Sequence, residues 1–396
     1  MSRNLLLTLV LALSVGAWAQ SVNSSSSASA TAGQTVVNRI GGLTVDLSNG
    51  ALYVADKGNS TILRIGPAGK PAPFAGTGSS GLNGDGQTAL QTQFNHAVAI
   101  SYDQRTSELF VADTGNYRIR SISPADSRVR TVAGLGSTTP VRNIPYDSHT
   151  PGALAAGRFG GDGGPATEAE LNLPSGVCAD PIGILFIADS GNHRVRAVNR
   201  GTSPVIVMGV EIEPGTIRTI AGTGKLGFSG DGDKATLAEL AFPTELKVDA
   251  SGSLMVVDSF NQRVRKIDRQ SGIIHTIVDG SIVEVPPDNA LLHWATSVAG
   301  VGVTMTQEII YTDRVTNTVH RVSRGGQGRI IYNTGLHDAE FGTVEVGPQG
   351  EIYVADVHWN RVLRIDGSTA RTYLGGAPGP VLSFPGVRRS SGTRTE

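Results

Sequence analysis

The feature that most constrains the fold of this chain is a 14-residue segment that occurs six times along it. The six copies align without a gap and begin at Leu52, Leu109, Leu185, Leu254, Ile309 and Ile352. Each copy has an aspartate at its fifth position, namely Asp56, Asp113, Asp189, Asp258, Asp313 and Asp356. Self-similarity of this kind indicates a repeat architecture, in which each unit buries its apolar surface against its neighbours.

Each copy is typical of a β-hairpin. In "LFVADTGNYRIRSI" (109–122), apolar residues end at the aspartate, a polar turn follows, and Ile or Val then alternates with polar residues. Further strands are predicted upstream, as in "GVCADPIGI", and downstream, as in "RTIAG". Each unit is therefore a four-stranded antiparallel meander, and its near-continuous apolar runs predict sheets that are covered on both faces.

Six such sheets packed face to face around an axis form a β-propeller. The predicted fold class is all-β, a six-bladed β-propeller of four-stranded antiparallel blades. A pair of β-sandwiches is the alternative, but it does not explain six aligned copies. The sequence leaves open whether the ring closes with "TVVNRI" near the start or "VLSF" near the end as an added strand.

The N-terminus is typical of an export signal. Arg3 is followed by a mostly apolar stretch over 5–17, and "AWA" fits a small-x-small cleavage site ending at Ala19. The apolar stretch is too short to span a membrane, so we predict no transmembrane segment and a secreted or periplasmic protein. The predicted divisions are a signal peptide at 1–19, a Ser-rich linker at 20–35, the propeller at 36–385 and a disordered tail at 386–396.

Charge and cysteine content narrow the function classes. The formal net charge of −1 gives no basis for nucleic-acid binding. The only cysteine is Cys178, so the chain has no internal disulfide and its stability must come from packing. Its position in the alternating run "SGVCAD" predicts a buried, inert thiol. We expect a monomer.

The pattern Asp-x-x-Asn-x-Arg-[Ile/Val], preceded by "FVA" or "YVA", resembles the NHL-repeat family. The resemblance covers roughly residues 36–376, and connectors such as "RFGGDGGPATEAEL" resemble those of secreted bacterial NHL proteins. Copies five and six depart from the pattern by carrying Asn317 and Asn360 one place later. Copies one and five have Thr61 and Thr318 in place of the arginine. The resemblance implies a six-bladed propeller, a fold shared with gluconolactonase-like enzymes, so the fold alone assigns no chemistry.

The repeated polar residues are predicted to be structural, because a catalytic group is needed once and these occur in every blade. We expect the aspartate to accept hydrogen bonds from turn N–H groups, the asparagine to adopt a left-handed conformation, and the arginine to bridge to a carbonyl or carboxylate. Besides the six aspartates, this set comprises Asn116, Asn192, Asn261, Arg118, Arg194 and Arg263. A ring of carboxylates that holds cations is the alternative.

Three connectors carry the tripeptide "GDG", at Asp85, Asp162 and Asp231. A glycine turn followed by a short helix is the prediction. A calcium loop that includes Asp233 is the alternative, although the spacing does not match the Asp-x-Asp-x-Asp-Gly pattern.

Strand parity places the Asp-x-x-Asn turns, the GDG connectors, the long insertion 136–158 and the mouth of the central channel at one end of the propeller. The candidate binding residues are those that do not recur, namely Glu245, His96, His293, His358 and Trp359. Glu245 stands on an inner strand where the third blade has Gly176. No cofactor is expected, with a divalent metal held by Glu245, His96 and His293 as the alternative.

No Gly-x-Ser-x-Gly, His-Glu-x-x-His or phosphate-loop motif is present. The sequence therefore favours a secreted module that binds a protein or a glycan, with His358 and Trp359 exposed for contact. Packing of Trp359 against the neighbouring connector is the alternative. The alternative is a metal-dependent propeller hydrolase or lyase of the gluconolactonase-like type, with its site at the channel mouth. Of the residues that this second resemblance implies, only Glu245 has a counterpart here.

Overall fold

The computed structural model describes residues 37–136, 158–280, 298–335 and 339–376. The predicted signal peptide, the linker, His293, the tail and almost all of the insertion 136–158 lie outside the described residues.

The described residues form six four-stranded antiparallel sheets, which confirms the predicted six-bladed β-propeller. Blade 1 comprises β1 (Ile40–Asp46), β2 (Ala51–Asp56), β3 (Thr61–Ile65) and β4 (Pro71–Ala75). Blade 2 comprises β5 (Ala97–Tyr102), β6 (Leu109–Asp113), β7 (Arg118–Ile122) and β8 (Val129–Ala133). Blade 3 comprises β9 (Pro174–Ala179), β10 (Ile184–Asp189), β11 (Arg194–Asn199) and β14 (Ile217–Ala221). Its third and fourth strands are separated by a small hairpin of β12 (Val205–Val207) and β13 (Val210–Ile212).

Blade 4 comprises β15 (Pro243–Val248), β16 (Leu254–Asp258), β17 (Arg263–Ile267) and β18 (Ile274–Asp279). Blade 5 comprises β19 (Val298–Val303), β20 (Ile309–Asp313), β21 (Thr318–Val322) and β22 (Gly328–Asn333). Blade 6 comprises β23 (Phe341–Val346), β24 (Ile352–Asp356), β25 (Arg361–Asp366) and β26 (Thr369–Gly375). The repeated segment forms the second and third strands of every blade, as predicted.

The apolar core lies between neighbouring blades. Phe186 of β10 and Val256 of β16 are both fully buried in one cluster that joins blades 3 and 4. Every blade has a neighbouring blade on both faces, so its second strand is almost entirely apolar up to the repeat aspartate. An example is the fully buried strand Ile184–Asp189. Cys178 is buried in the same cluster, which confirms the prediction of a structural thiol.

The six first strands contact one another in a closed ring, and β1 packs against β23. The first and last described sheets each consist of four consecutive strands, so blade 1 borrows no strand from the other end of the chain. The backbone N–H of Arg39 donates to Oδ1 of Asn360 across this junction, at 2.6 Å. Side-to-side packing and this hydrogen bond therefore close the described ring.

Short 3₁₀ helices occupy the turns and connectors. Those in the Asp-x-x-Asn turns are Lys57–Asn59, Thr114–Asn116, Ser190–Asn192 and Ser259–Asn261. Those that follow the GDG tripeptides are Ala89–Gln91, Ala166–Glu168 and Ala235–Leu237, which confirms the predicted short helices. No helix among the described residues is long and apolar enough to cross a membrane.

Candidate functional site at the connector end and the central channel

The repeated aspartate fastens its turn to the segment that enters the first strand of the same blade. Oδ1 of Asp113 accepts the N–H of Asn95 at 2.7 Å, and Oδ2 accepts the side-chain amide of Asn116 at 2.8 Å. The equivalent pairs of partners are Asn38 and Asn59 for Asp56, Asn172 and Asn192 for Asp189, and Ala241 and Asn261 for Asp258. The expectation that turn N–H groups are the main donors fits Asp313, which accepts from Val315 and Thr316. In the first four copies the turn contributes the side-chain amide of its asparagine, and the entering segment contributes a backbone N–H.

The left-handed residue of each turn is the one four places after the aspartate. In the first four blades it is Ser60, Tyr117, His193 and Gln262, with φ between 52° and 56°. The expectation that asparagine takes this conformation is therefore wrong for Asn116, Asn192 and Asn261. It holds for Asn317 and Asn360, which stand at the left-handed place with φ of 53° and 47°.

The earlier asparagines serve as amide donors instead. The side-chain amide of Asn116 also donates to the carbonyl of Gly81 at 2.9 Å, and that of Asn261 donates to the carbonyl of Gly227 at 2.8 Å. Both carbonyls belong to the connector that precedes the blade. The asparagine thus links its own turn, through the aspartate, to the incoming connector.

The predicted arginines reach the connector that leaves the blade. Arg118 donates to the carbonyl of Leu135 at 2.7 Å, and Arg194 donates to the carbonyl of Thr223 at 2.6 Å. Arg263 pairs with the carboxylate of Asp279 at 3.0 Å. Turn, incoming connector and outgoing connector are therefore tied together in blades 2, 3 and 4.

A second set of arginines, two places further along, was not singled out from the sequence. Arg120, Arg196 and Arg265 are fully buried, and each binds the GDG aspartate of the preceding connector. The shortest nitrogen-to-oxygen distances are 2.9 Å to Asp85, 2.6 Å to Asp162 and 2.6 Å to Asp231. The equivalent residues of blades 1, 5 and 6 are Leu63, His320 and Leu363.

The GDG carboxylates therefore have guanidinium partners. Asp85 also accepts the backbone N–H and the hydroxyl of Thr131, on the fourth strand, at 2.8 and 3.0 Å. A signal for this clamp was present in the sequence, because the buried-strand arginine and the GDG tripeptide occur together in blades 2, 3 and 4 and in no other blade. The calcium-loop alternative gains no support from these contacts.

The central channel is lined mostly by small side chains. The aligned third positions of the six inner strands are Gly42, Ala99, Gly176, Glu245, Gly300 and Thr343. The inner strands approach so closely that a Cβ atom on Gly176 would lie 1.7 Å from the carbonyl oxygen of Thr244. Glu245 is the single long side chain at this level.

Glu245 crosses the channel from blade 4 to blades 5 and 6. Oε1 accepts the hydroxyl of Thr343 at 2.5 Å, and Oε2 accepts the backbone N–H of Val301 at 3.3 Å. Burial raises the pKa of Glu245 to about 7, and the charge of Lys247 and the bond from Thr343 oppose this only in part. Two residues further along the strands, Lys247 forms an ion pair with Glu345 across the same channel. These contacts tie blades 4, 5 and 6 together.

The channel mouth is surrounded by residues in a strained backbone conformation. Arg39, His96, Leu173 and Phe242 directly precede the first strands of blades 1 to 4, and their φ values lie between 48° and 55°. Glycine would be the usual residue at such a place. Leu173 and Phe242 instead bury their side chains in a small cluster with Tyr117.

His96 is half-buried, and its Nδ1 atom lies 2.8 Å from Oδ1 of Asn95. Burial, together with the nearby charges of Lys57 and Arg39, lowers the pKa of His96. His293 lies outside the described residues. Across the described ranges, no group of three or more His, Cys, Asp or Glu side chains is placed to hold a metal ion. The structure thus does not assemble a described metal site around Glu245 and His96.

His358 and Trp359 are both partly buried, which is intermediate between the predicted exposure and the alternative of packing. Their rings contact each other edge to face, with centroids 5.5 Å apart. The guanidinium of Arg361 lies 5.7 Å from the Trp359 ring. Trp359 occupies the place that Asn116 has in its turn.

Five of the seven exposed large apolar side chains on the described parts of the three GDG connectors form a feature that sequence reasoning missed. We call this set the connector ridge, and it comprises Leu82, Leu135, Phe159, Leu226 and Phe228. These side chains are 40–55% exposed. Leu82, Phe159 and Phe228 each stand three residues before a GDG aspartate.

The two phenylalanines of the ridge lie on the arginines of the next turn. The Arg194 guanidinium is 3.8 Å from the Phe159 ring centre, and the Arg263 guanidinium is 4.0 Å from that of Phe228. Such cation–π contacts hold an aromatic ring in place while one of its faces remains in solvent. The recurring Phe or Leu before "GDG" was the available sequence signal.

Comparison with known proteins places these features in a family. The family model described as the teneurin NHL domain matches residues 80–199. SUPPRESSOR OF QUENCHING 1, a chloroplast protein of Arabidopsis thaliana, is 29% identical over 225 residues, which are 57% of this chain and 19% of that protein. Human NHL repeat-containing protein 2 is 24% identical over 167 residues, which are 40% of this chain and 20% of that protein. The chain thus spans about a fifth of the length of these two relatives.

Among solved structures, a streptogramin B lyase superimposes with a TM-score of 0.50 and 12% identity, covering 86% of this chain and 84% of the lyase. At this identity the likeness shows the propeller fold alone. The family-model match, the NHL-named relative and the six aligned copies of the repeat, four of which have the Asp-x-x-Asn turn, agree in their assignment. These findings support an NHL-repeat family for the chain.

Proposed function

We propose that this propeller is a binding module that takes a protein partner on the connector ridge. The observation that carries the proposal is the concentration of exposed apolar side chains on three consecutive connectors at one end of the propeller. A soluble protein rarely exposes such a set of large apolar side chains without a binding role.

The ridge is held in place before any partner arrives. The GDG clamp fixes each connector to a fully buried arginine, and Arg194 and Arg263 support the two phenylalanines. A preorganised surface spends less of its binding free energy on ordering side chains. Aromatic and aliphatic side chains of this kind favour a protein partner over a glycan, because they offer few hydrogen-bonding groups for hydroxyls.

Charged residues stand beside the apolar ones. Arg158 and Lys225 have side chains that are 81% and 75% exposed, and they neighbour Phe159 and Leu226 in the chain. An apolar centre with a polar rim is the usual anatomy of a protein interface. Each of these cations is paired with a glutamate, Glu170 and Glu239 respectively, so the rim offers both signs of charge.

The hydrolase alternative has no comparable observation in its favour. Both carboxylate oxygens of Glu245 already accept hydrogen bonds, from Thr343 and Val301. Assays of the purified chain for bound metal and for ester and lactone turnover test this alternative directly. Stoichiometric metal together with turnover that Glu245→Gln abolishes would favour it over the binding proposal.

The binding proposal is tested by crosslinking capture. The chain from residue 20 onward is immobilised and incubated with protein extract of the source organism. The Phe159→Ser/Phe228→Ser double variant removes the centre of the ridge. The matched control is Ile206→Ser/Ile330→Ser, which removes two apolar side chains that are 66% and 55% exposed on other elements.

We expect a partner that the wild type and the control double variant retain and that the ridge double variant loses, at unchanged thermal stability. Equal retention by all three proteins, or no partner above background, would contradict the proposal. The purified partner is then titrated by calorimetry, so that the loss is measured as a change in Kd.

We also propose that the chain is exported through the signal at residues 1–19. The support is the positive start, the apolar stretch and the "AWA" site in the sequence. Mass spectrometry of the protein from the source organism should find a mature N-terminus at Gln20. A mature protein that retains residues 1–19 would contradict this part of the proposal.

A further inference from the structure

At the end of the propeller opposite the connectors, a groove of about 640 Å³ lies between blades 1 and 6. Its blade 1 side consists of residues 47–50 and 67–69, which belong to the β1–β2 and β3–β4 turns. Its blade 6 side includes Tyr353, Arg364, Arg371 and Tyr373. We call this cleft the seam groove.

The neighbouring seam, between blades 1 and 2, shows what fills this space elsewhere. Tyr102 of β5 stacks on Tyr53 of β2, with ring centroids 5.4 Å apart and planes 17° apart. Gln104 then bonds to the backbone of blade 1, donating to the carbonyl of Val45 at 2.8 Å and accepting the N–H of Leu47 at 2.9 Å.

The seam between blades 6 and 1 has none of these three contacts, namely the tyrosine stack and the two hydrogen bonds of Gln104, and its sequence explains why. Val45 pairs with Leu52 as Tyr102 pairs with Leu109, so a valine stands at the place of the stacking tyrosine. By the same register, Leu47 stands at the place of Gln104 and has no amide group. In blade 6, Pro348 stands at the place of Leu47, the residue whose N–H Gln104 accepts in the filled seam. Proline has no N–H to offer there.

The blade 6 side retains the aromatic residues that the filled seam uses. Tyr353 stands three residues before its repeat aspartate, as Tyr53 does. Its ring centroid lies 5.1 Å from that of Tyr373. In blade 1 the corresponding contact is between Tyr53 and Phe74, whose ring centroids are 5.0 Å apart. The groove thus keeps a tyrosine pair whose stacking partner from the next blade is replaced by the smaller Val45.

The polar groups of the groove balance in charge. The Nε atoms of Arg364 and Arg371 lie 3.1 and 3.5 Å from the two oxygens of one carboxylate, that of Asp366. Glu351 also lines the groove and accepts the N–H of Gln349 at 2.9 Å. Two guanidinium groups against two carboxylates favour a neutral ligand that offers both donors and acceptors.

We propose that the seam groove binds a hexose ring of an oligosaccharide. The apolar face of the sugar packs on Tyr373, the partly exposed member of the pair, while Tyr353 is buried behind it. Its hydroxyl groups accept from Arg371 and donate to Glu351. The groove is open along one side, so the rest of the oligosaccharide extends into solvent. This site lies at the opposite end from the connector ridge and does not depend on the proposed protein partner.

The test uses the fluorescently labelled chain from residue 20 onward on a printed array of neutral and acidic oligosaccharides. The strongest hit is then titrated by calorimetry. Arg371→Ala is the first groove variant, because the Arg371 side chain is 63% exposed and its loss leaves the core intact. Arg329→Ala is the matched control, since Arg329 pairs with Arg321 in blade 5 as Arg371 pairs with Arg364 in blade 6.

Val45→Tyr is the second groove variant, because it introduces the side chain that fills the neighbouring seam. If the Val45→Tyr variant does not fold, the Tyr373→Ala variant is used in its place. We expect Arg371→Ala and the second variant each to weaken the hit at least about tenfold, with Arg329→Ala unchanged. The ridge double variant Phe159→Ser/Phe228→Ser should bind the sugar like wild type, which separates this proposal from the protein-binding one.

Three results would overturn the proposal. The first is that no oligosaccharide binds above background. The second is that a hit binds equally well to the groove variants and to the control. The third is that the tripeptide Gly-Tyr-Gly binds in a manner that Arg371→Ala abolishes while no oligosaccharide does, which would assign the groove to an aromatic side chain instead.

Discussion

The Asp85 carboxylate lies 2.9 Å from the guanidinium of Arg120, whose side chain has no solvent exposure. Asp85 belongs to the connector that enters blade 2, and Arg120 belongs to the third strand of that blade. Arg120 also approaches the repeat aspartate Asp113, at 3.3 Å. One buried guanidinium thus joins a connector to the turn of its blade, and the same clamp recurs in blades 3 and 4.

Loss of the clamp arginine should destabilise the propeller strongly. Arg265→Leu leaves the buried carboxylate of Asp258 without its guanidinium, and breaking a buried pair from one side costs about 3–5 kcal/mol. Leucine is the natural residue at this place in blades 1 and 6, so the cavity can accept it. Urea denaturation measures the free energy of unfolding. Arg130→Ala, at an exposed arginine, is the control, and equal losses for the two variants would refute the account.

Glu245 should make stability depend on pH in a defined direction. Its pKa rises from 4.5 to about 7 on folding, so the folded protein holds this proton more tightly than the unfolded chain does. The stabilisation is fully present below about pH 4.5 and is lost as the pH rises through about 7. Between these two pKa values the free energy of unfolding falls by roughly 1.4 kcal/mol for each pH unit.

The measurement is the free energy of unfolding of the wild type minus that of Glu245→Gln, taken from pH 4 to pH 8. We expect this difference to fall with rising pH, because the neutral glutamine does not titrate. Glu168→Gln, at an exposed glutamate, should show no such trend. A difference that is flat or rises with pH would show that this carboxylate is not destabilised by burial.

Gly176 should not tolerate a methyl group. Gly176→Ala would place Cβ 1.7 Å from the carbonyl oxygen of Thr244 on the next inner strand, so the two strands would have to separate. We expect a loss of at least about 3 kcal/mol, or failure to fold. Gly350→Ala is the comparison, because it meets no atom within 4 Å and is strained only by its φ of 86°, for about 1 kcal/mol. Similar losses for both would mean that the inner strands do not pack this closely.

Asn360 should contribute to ring closure through its side-chain oxygen. Asn360→Gly keeps the left-handed backbone and removes the acceptor of the Arg39 N–H, so unfolding should become easier by about 1–2 kcal/mol. Ser60→Gly is the matched control in blade 1, at the same left-handed place, and should leave stability unchanged or slightly higher. Unchanged stability in Asn360→Gly would show that packing alone closes the ring.

The fold was predictable because its signal is repeated. In six aligned hairpins the first strand ends at an aspartate, and this pattern predicts the strands, the turns and the number of blades. No contact between distant segments is needed for these predictions. Details within the hairpin were less predictable. Asn116 and Ser60 show why, since the left-handed place follows the asparagine and only the backbone reveals which residue takes it.

Contacts between distant segments were the hardest to predict. Arg120 looks like an ordinary polar residue of a strand, and its partner Asp85 lies 35 positions earlier in a connector. For Trp359 the sequence left exposure and packing open, and its ring lies beside His358 and Arg361 in a partly buried position. The seam groove arises from what Val45, Leu47 and Pro348 lack relative to the next seam, which becomes visible only when the registers of two blades are compared.

The central claim is that the recurring polar residues, including the clamp of blades 2 to 4, hold the propeller together and are not themselves a site. A double-mutant cycle of Asp85→Ala and Arg120→Leu tests it most directly, with the free energy of unfolding measured for the wild type, both single variants and the double variant. The account predicts a coupling energy of at least about 1 kcal/mol between the two residues. Losses that add to within about 0.3 kcal/mol would contradict it.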